Sequence, residues 1–192
     1  MLSWALSTHR LTHQPQLHAA GARNFLLLNY PSMEASPFAR LSRIPNSLFD
    51  LGADIVHHNA RLAFMAHRFA LSHPSANVFL FDQHALSLAV RRNPKAFPET
   101  AMLERFEGFC YLYADAEEGK GGSGGQSGGQ SIQGQRAGEA TRDVFDALCG
   151  VGLEKFLWRD ERHMTEGWQR LVARKITEVL DNGEARLPLE FW

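Results

Sequence analysis

Two short apolar runs mark the first half of the chain. Residues 22–30 read Ala-Arg-Asn-Phe-Leu-Leu-Leu-Asn-Tyr between a glycine and a proline, and residues 77–82 read Asn-Val-Phe-Leu-Phe-Asp after a His-Pro-Ser turn. Continuous apolar runs of this length are typical of strands that are covered on both faces in a parallel sheet. The pattern therefore predicts parallel strands near 23–30 and 77–82.

The segment between these runs, from about 46 to 71, has apolar residues at helical spacing. They include Leu51, Ile55, Leu62, Met65 and Phe69. A strand, a helix and a second strand form a crossover unit, which implies a parallel pair with a right-handed connection. A shorter helix over 84–92 is predicted to end at Asn93, because the residue before a proline avoids the helical conformation.

The clearest helix lies near 165–181. Thr165 is a good N-cap, and Asn182-Gly183 is a typical stop. One stripe of the helix is apolar and is expected to be buried: Trp168, Leu171, Val172, Ile176, Val179 and Leu180. With the crossover unit before it, this helix places the chain in the α/β class.

Residues 117–139 differ from the rest of the chain. They are mostly Gly, Ser and Gln with almost no apolar side chain, so burial cannot offset the entropy of ordering them. We expect a disordered insertion in an otherwise single domain over residues 1–192.

Composition and charge exclude several classes of protein. A chain of 192 residues with 44% hydrophobic and 21% charged residues fits one soluble domain. A net charge of −1 gives no basic surface for nucleic acid. The longest apolar run, 62–66, is far below the roughly 20 residues that span a bilayer. Residues 1–17 show no secretory signal, which by itself indicates a cytoplasmic protein.

One loop, just before the closing helix, carries candidate catalytic chemistry. A carboxylate three residues before an imidazole, as at Asp160 and His163, can accept the Nδ1 proton and stabilise the cation formed when Nε2 takes a proton. The same spacing also occurs in solvated turns, so both interpretations stay open. The other histidines considered, His57, His58 and His67, lack the further ligands that a metal site needs, and we expect no metal.

Five stretches of the chain resemble the fungal members of the SGNH/GDSL family of serine esterases. Residues 20–31 are similar to a family strand that reads GARNFLFLNVPP, and residues 156–165 are similar to the family block D-x-x-H-P-T with its preceding tryptophan. The other three stretches match in order: 59–62, 73–82 and 108–110. The resemblance spans nearly the whole chain except its first residues and the Gly-rich insert.

The resemblance implies a three-layer α/β/α, flavodoxin-like fold and a hydrolase of acetyl or other short-acyl esters, including those of carbohydrates. It makes His163 the general base and Asp160 its orienting carboxylate, without cofactor or metal. It also implies a secreted protein and a disulfide between Cys110 and Cys149. Composition alone leaves these two cysteines either free or bonded.

Two departures from the family pattern stand out. Met164 replaces the usual proline, which loosens the loop but keeps both catalytic groups. The Gly-Asp-Ser block of the nucleophile and the oxyanion-hole blocks are missing, and neither Ser3 nor Ser7 has the right setting, so no nucleophile is identified. The expectation is a truncated product or an incomplete gene model, inactive as it stands.

The missing blocks would also remove strands. The strand near 23–30 should then have an unpaired edge, which favours self-association. The alternative function is a pseudoenzyme remnant that binds a protein partner through this edge.

Overall fold

The computed structural model describes residues 13–41, 51–112 and 147–182. In these ranges the helices are α1 (Gln14–Ala19), α2 (Pro37–Leu41), α3 (Leu51–Ser72), α4 (Gln83–Arg92) and α5 (Glu166–Asn182). The strands are β1 (Asn24–Leu28) and β2 (Asn77–Phe81), and the 3-10 turns are Met33–Ala35, Pro94–Ala96, Pro98–Thr100 and Leu153–Lys155. The predicted insertion at 117–139, the first residues of the predicted helix at 46–50, and both Ser3 and Ser7 lie outside the described residues.

The two strands form a small parallel sheet. Phe25 lies opposite Val78, and Leu28 lies opposite Phe81. Because α3 connects the strands, the crossover unit expected from the hydrophobic pattern is present, and the prediction of an α/β fold is confirmed. The side chain of Asp82, directly after β2, accepts a hydrogen bond from the amide of Ala85 and caps α4.

Among the described residues, helices pack on both faces of β2, whereas β1 is packed on one face. On one side, Phe25 and Val78 pack with Ala66 and Phe69 of α3 in one apolar cluster. Phe81 has the opposite parity along β2, so its side chain leaves the other face. There it joins a second cluster with side chains of α4, α5 and the segment before α5: Val90, Leu103, Leu157, Trp158, Met164, Trp168, Leu171 and Val172.

The prediction that both strands are covered on both faces is wrong for β1. Leu26 and Leu28 are 36% and 39% exposed, whereas Phe25 on the other face is buried. In the described part of the chain, the second cluster includes Phe81 of β2 and no residue of β1. Among the described residues, β1 and β2 pair only with each other.

The closing helix also differs from the prediction at its end. Trp168, Leu171 and Val172 are buried and Ile176 packs against them, but Leu180 is 46% exposed. Along α5, the second cluster extends from Trp168 to Ile176 and does not include Leu180. None of the described helices is both long and apolar enough to cross a bilayer.

Candidate functional site

The loop that carries Asp160 and His163 is anchored at both ends. Trp158 and Met164 form an antiparallel bridge, and the amide of Arg159 donates to the carbonyl of His163 at 2.8 Å. The indole of Trp158 is fully buried and donates to the carbonyl of Phe106 at 2.9 Å. The short loop between the bridged residues is thus fixed to the core through Trp158.

Met164 fits this loop, although the D-x-x-H-P-T block that residues 156–165 resemble has proline at this position. The hydrogen bonds that flank the bridge are made by neighbouring amides, those of Arg159 and Thr165, and the amide of Met164 makes none with the described residues. A proline would therefore break no such bond. The methionine side chain instead packs in the second cluster and is only 7% exposed.

The carboxylate of Asp160 organises the loop and the imidazole together. Its Oδ1 accepts hydrogen bonds from the amides of Arg162 at 2.7 Å and His163 at 2.8 Å. Its Oδ2 lies 2.8 Å from Nδ1 of His163. A proton on Nδ1 leaves Nε2 as the basic nitrogen of the neutral ring. The His163 side chain is 75% exposed, so Nε2 is accessible from solvent.

The environment of Asp160 favours its charged form. Burial is the largest influence and by itself raises the pKa of the carboxyl. The amides of Arg162 and His163 and the imidazole together outweigh burial, so the pKa of Asp160 lies below its ordinary value. The pair consequently combines a stable anion with an exposed imidazole, as a base and its orienting carboxylate require.

The loop contacts the segment that leaves the carboxyl end of β1. The amide of Phe38 donates to the carbonyl of Glu161 at 2.9 Å, and the guanidinium of Arg162 lies 4.1 Å from the centre of the Phe38 ring. Ligand sites of parallel sheets lie beyond the carboxyl ends of the strands. The loop that carries Asp160 and His163 is therefore in contact with the segment beyond the carboxyl end of β1, where a ligand site of a parallel sheet is expected.

A second polar group at the strand ends was not predicted. Asn29, buried directly after β1, donates to Oδ1 of Asp82 at 2.8 Å and accepts from the amide of His84 at 3.0 Å. Asn59 of α3 makes two hydrogen bonds to the backbone of Tyr30, each 2.9 Å long. The sequence carries a partial signal for the contact between Asn29 and Asp82, since each apolar run ends in a polar residue. Whether these two residues meet depends on the register of the strands.

Cys110 and Cys149 form a disulfide with a Cα–Cα distance of 5.9 Å. Of the two possibilities that composition left open, the structure has the bonded one. Beside the disulfide lies a shallow cavity of about 550 Å³, whose lining includes Phe109, Tyr111 and Phe156.

The three histidines that we expected not to bind a metal lie on α3. His57 is exposed, and His58 and His67 are half-buried. Among the described residues, no group of three or more His, Cys, Asp or Glu side chains is placed to hold a metal ion. A groove of about 820 Å³ between α1 and α3 is lined in part by His57 and Phe64, and none of its lining residues belongs to 158–164.

No serine in the described part of the chain is hydrogen-bonded to His163. The structure thus brings together a carboxylate and an imidazole, and it assigns them no nucleophile.

No protein-family model matches this chain, and no curated protein sequence matches it.

Proposed function

We propose that this chain is part of an ester hydrolase of the SGNH/GDSL type, in which His163 is the general base and Asp160 orients it. The observation that carries the proposal is the 2.8 Å contact between Nδ1 of His163 and Oδ2 of Asp160, in a loop anchored to the core by Trp158. The five ordered stretches of family-like sequence support it, as do the parallel pairing of β1 with β2 and the helices on both faces of β2.

The reaction that fits this pair is acyl transfer. A serine hydroxyl attacks the ester carbonyl while Nε2 of His163 takes its proton, and the imidazolium is stabilised by Asp160. His163 then protonates the leaving alcohol, and water releases the acid from the acyl-enzyme by the same route in reverse. The serine remains unassigned, and the substrates we propose are acetyl or short-acyl esters, including those of carbohydrates.

The proposed location is outside the cell. The disulfide between Cys110 and Cys149 favours this, because such bonds persist in oxidising compartments and are rare in the cytoplasm. A cytoplasmic protein would hold these two cysteines reduced.

The first test is hydrolysis of p-nitrophenyl acetate by the protein expressed from its full native transcript, which would supply any nucleophile block that this chain lacks, and by the His163→Ala variant of that protein. We expect the substitution to reduce turnover by about a thousandfold or more, as for other triad members. His57→Ala, which replaces an exposed histidine of α3, is the matched control and should leave turnover unchanged. Equal turnover in the wild type and His163→Ala would overturn catalysis by this pair.

A fluorophosphonate probe would locate the missing nucleophile. Such probes label serines activated by a neighbouring base. Intact-mass measurement followed by peptide mapping should identify one labelled serine, and His163→Ala should abolish the label. Labelling that persists in His163→Ala would separate the serine from this imidazole.

A second candidate function is a binding module without catalysis, and the edge of β1 favours it. In the described residues β1 pairs only with β2, and its exposed Leu26 and Leu28 lie on an open face. An extended peptide added to this edge would gain main-chain hydrogen bonds and cover these side chains. Under this alternative, His163→Ala leaves partner binding unchanged, whereas Leu26→Lys weakens it.

A further inference from the structure

A clamped aromatic residue stands at the carboxyl end of β1. Tyr30 lies two residues beyond Leu28, the last residue of the strand. Its amide donates to Oδ1 of Asn59 and its carbonyl accepts from Nδ2 of the same side chain, each at 2.9 Å. The preceding residue, Asn29, is held by Asp82 and His84. The backbone that presents the Tyr30 ring is therefore fixed before any ligand arrives.

The ring itself is only partly covered. Tyr30 is 45% exposed, and its ring meets that of His58 at a centroid distance of 4.7 Å and an angle of 64°. His58 and Asn59 are consecutive on α3, so one helical turn holds both the backbone and the ring. Binding of a ligand to this ring should cost little side-chain conformational entropy, because the Tyr30 ring is already restrained.

The Tyr30 surface lies on the same segment as the contact to the catalytic loop. Residues 29–38 leave β1, carry Tyr30, and reach Glu161 through the amide of Phe38. The segment also packs on α3 through its Met33–Ala35 turn. Tyr30 and the Asp160–His163 loop are therefore linked by one segment beyond the carboxyl end of β1, where ligands of parallel sheets bind.

We infer that Tyr30, supported by His58, is a binding surface for a sugar ring in the alcohol portion of the ester, an inference that rests on the proposed function. The face of an aromatic ring is electron-rich and attracts the weakly positive C–H groups on one face of a pyranose. An apolar acyl chain would instead require an enclosed apolar cavity, whereas the Tyr30 ring is open to solvent.

The experiment is a titration of the whole chain with cellotetraose and with xylotetraose, followed by NMR chemical shifts. We expect saturable binding of at least one of them, about fivefold weaker in Tyr30→Ala, as loss of one aromatic contact predicts. Tyr30→Phe should retain binding within about twofold. Tyr111→Ala is the matched control, since Tyr111 is also exposed and also packs on an aromatic ring, that of Phe109.

Binding equal in the wild type and Tyr30→Ala, or no binding of either tetrasaccharide to the wild type, would overturn the inference. Thermal unfolding of each variant checks that the fold is retained. His163→Ala separates the two proposals, because it should abolish ester hydrolysis and leave tetrasaccharide binding intact. If sugar binding depends on Tyr30 but hydrolysis is unchanged in His163→Ala, the proposed esterase mechanism is wrong and the sugar-binding role of Tyr30 still holds.

Discussion

At the scale of single residues, one carboxylate accounts for most of the geometry of the candidate site. Asp160 accepts two amide hydrogen bonds that close the loop and a third contact that holds the imidazole of His163. Loop shape and imidazole orientation therefore depend on the same side chain. A substitution at Asp160 should affect stability as well as chemistry, whereas His163 is exposed and its loss should affect chemistry alone.

The pH dependence of stability tests this role of Asp160. Because its pKa in the folded chain lies below the ordinary value of 3.8, its charged form stabilises the fold. This contribution is fully present above that ordinary value and is lost as the pH falls through the lower folded pKa. We expect Asp160→Ala to lower the free energy of unfolding by about 2 kcal/mol near neutral pH, and the difference from the wild type to shrink in acid.

Urea unfolding of both proteins at neutral and strongly acidic pH measures this difference. Glu161→Ala is the control, since Glu161 lies in the same loop and, among the described contacts of residues 158–164, takes part in a hydrogen bond only through its backbone carbonyl. A difference for Asp160→Ala that is independent of pH would assign its effect to packing rather than charge.

At the scale of elements, α5 approaches the Pro98–Thr100 turn closely enough to require glycine. A Cβ atom on Gly167 would lie 2.5 Å from the carbonyl oxygen of Glu99. The same pair of elements is joined by the guanidinium of Arg174, whose Nη2 donates to Glu99 at 3.0 Å. Close backbone contact at Gly167 and an ion pair at Arg174 thus hold the first half of the helix that follows the Asp160–His163 loop.

Gly167→Ala should therefore destabilise the protein. Alanine normally favours a helix over glycine by about 1 kcal/mol, but the clash with Glu99 should reverse the sign and cost about 1–3 kcal/mol. Thermal or urea unfolding measures the change. At Gly108, where an added Cβ meets nothing within 4 Å, the same substitution should have little effect. Stabilisation by Gly167→Ala would show that the turn yields without cost.

The open side of β1 is the second feature at this scale. Leu26 is exposed on a strand whose described pairing is limited to β2. Unpaired edges with exposed apolar side chains promote association of copies. Leu26→Lys should therefore reduce self-association, because a charge on the strand opposes edge-to-edge pairing.

Sedimentation velocity over a range of concentrations checks this expectation. Leu71→Lys, on an exposed position of α3, is the control for general solubility. A wild-type chain that stays monomeric throughout, or an equal gain from Leu71→Lys, would remove the special role of β1.

At the scale of the whole molecule, the disulfide joins the two parts of the chain that flank the Gly-rich segment. Cys110 precedes that segment, Cys149 follows it, and their sequence separation is 39 residues. The bond therefore fixes the ends of the segment independently of its internal conformation. Closing a loop of this length stabilises a fold by roughly 2–4 kcal/mol.

Limited proteolysis tests this arrangement together with the predicted disorder of 117–139. Trypsin should cut early at Lys120 or Arg136, because composition predicts an accessible chain there. Without reductant the two fragments should remain joined through Cys110 and Cys149, and with reductant they should separate. Early cleavage confined to other regions would contradict the predicted disorder, and separation without reductant would contradict the disulfide.

Local pattern was sufficient for several features. Apolar runs bounded by turn residues located β1 and β2 to within a few residues, and Asn93-Pro94 correctly ended α4. The proximity of Asp160 and His163 was also visible, since both lie in one short loop. These features depend on residues close in the chain, so spacing and turn chemistry are informative.

The sequence by itself determined the positions of β1, α3 and β2 and the closeness of Asp160 to His163, because each depends on residues that are near one another in the chain. Only the tertiary structure decided that one face of β1 is open, that burial along α5 ends before Leu180, and that Asn29 meets Asp82. It also placed Tyr30 against α3. These outcomes depend on contacts between residues far apart in the chain, and periodicity carries no information about which distant surface covers a given side chain.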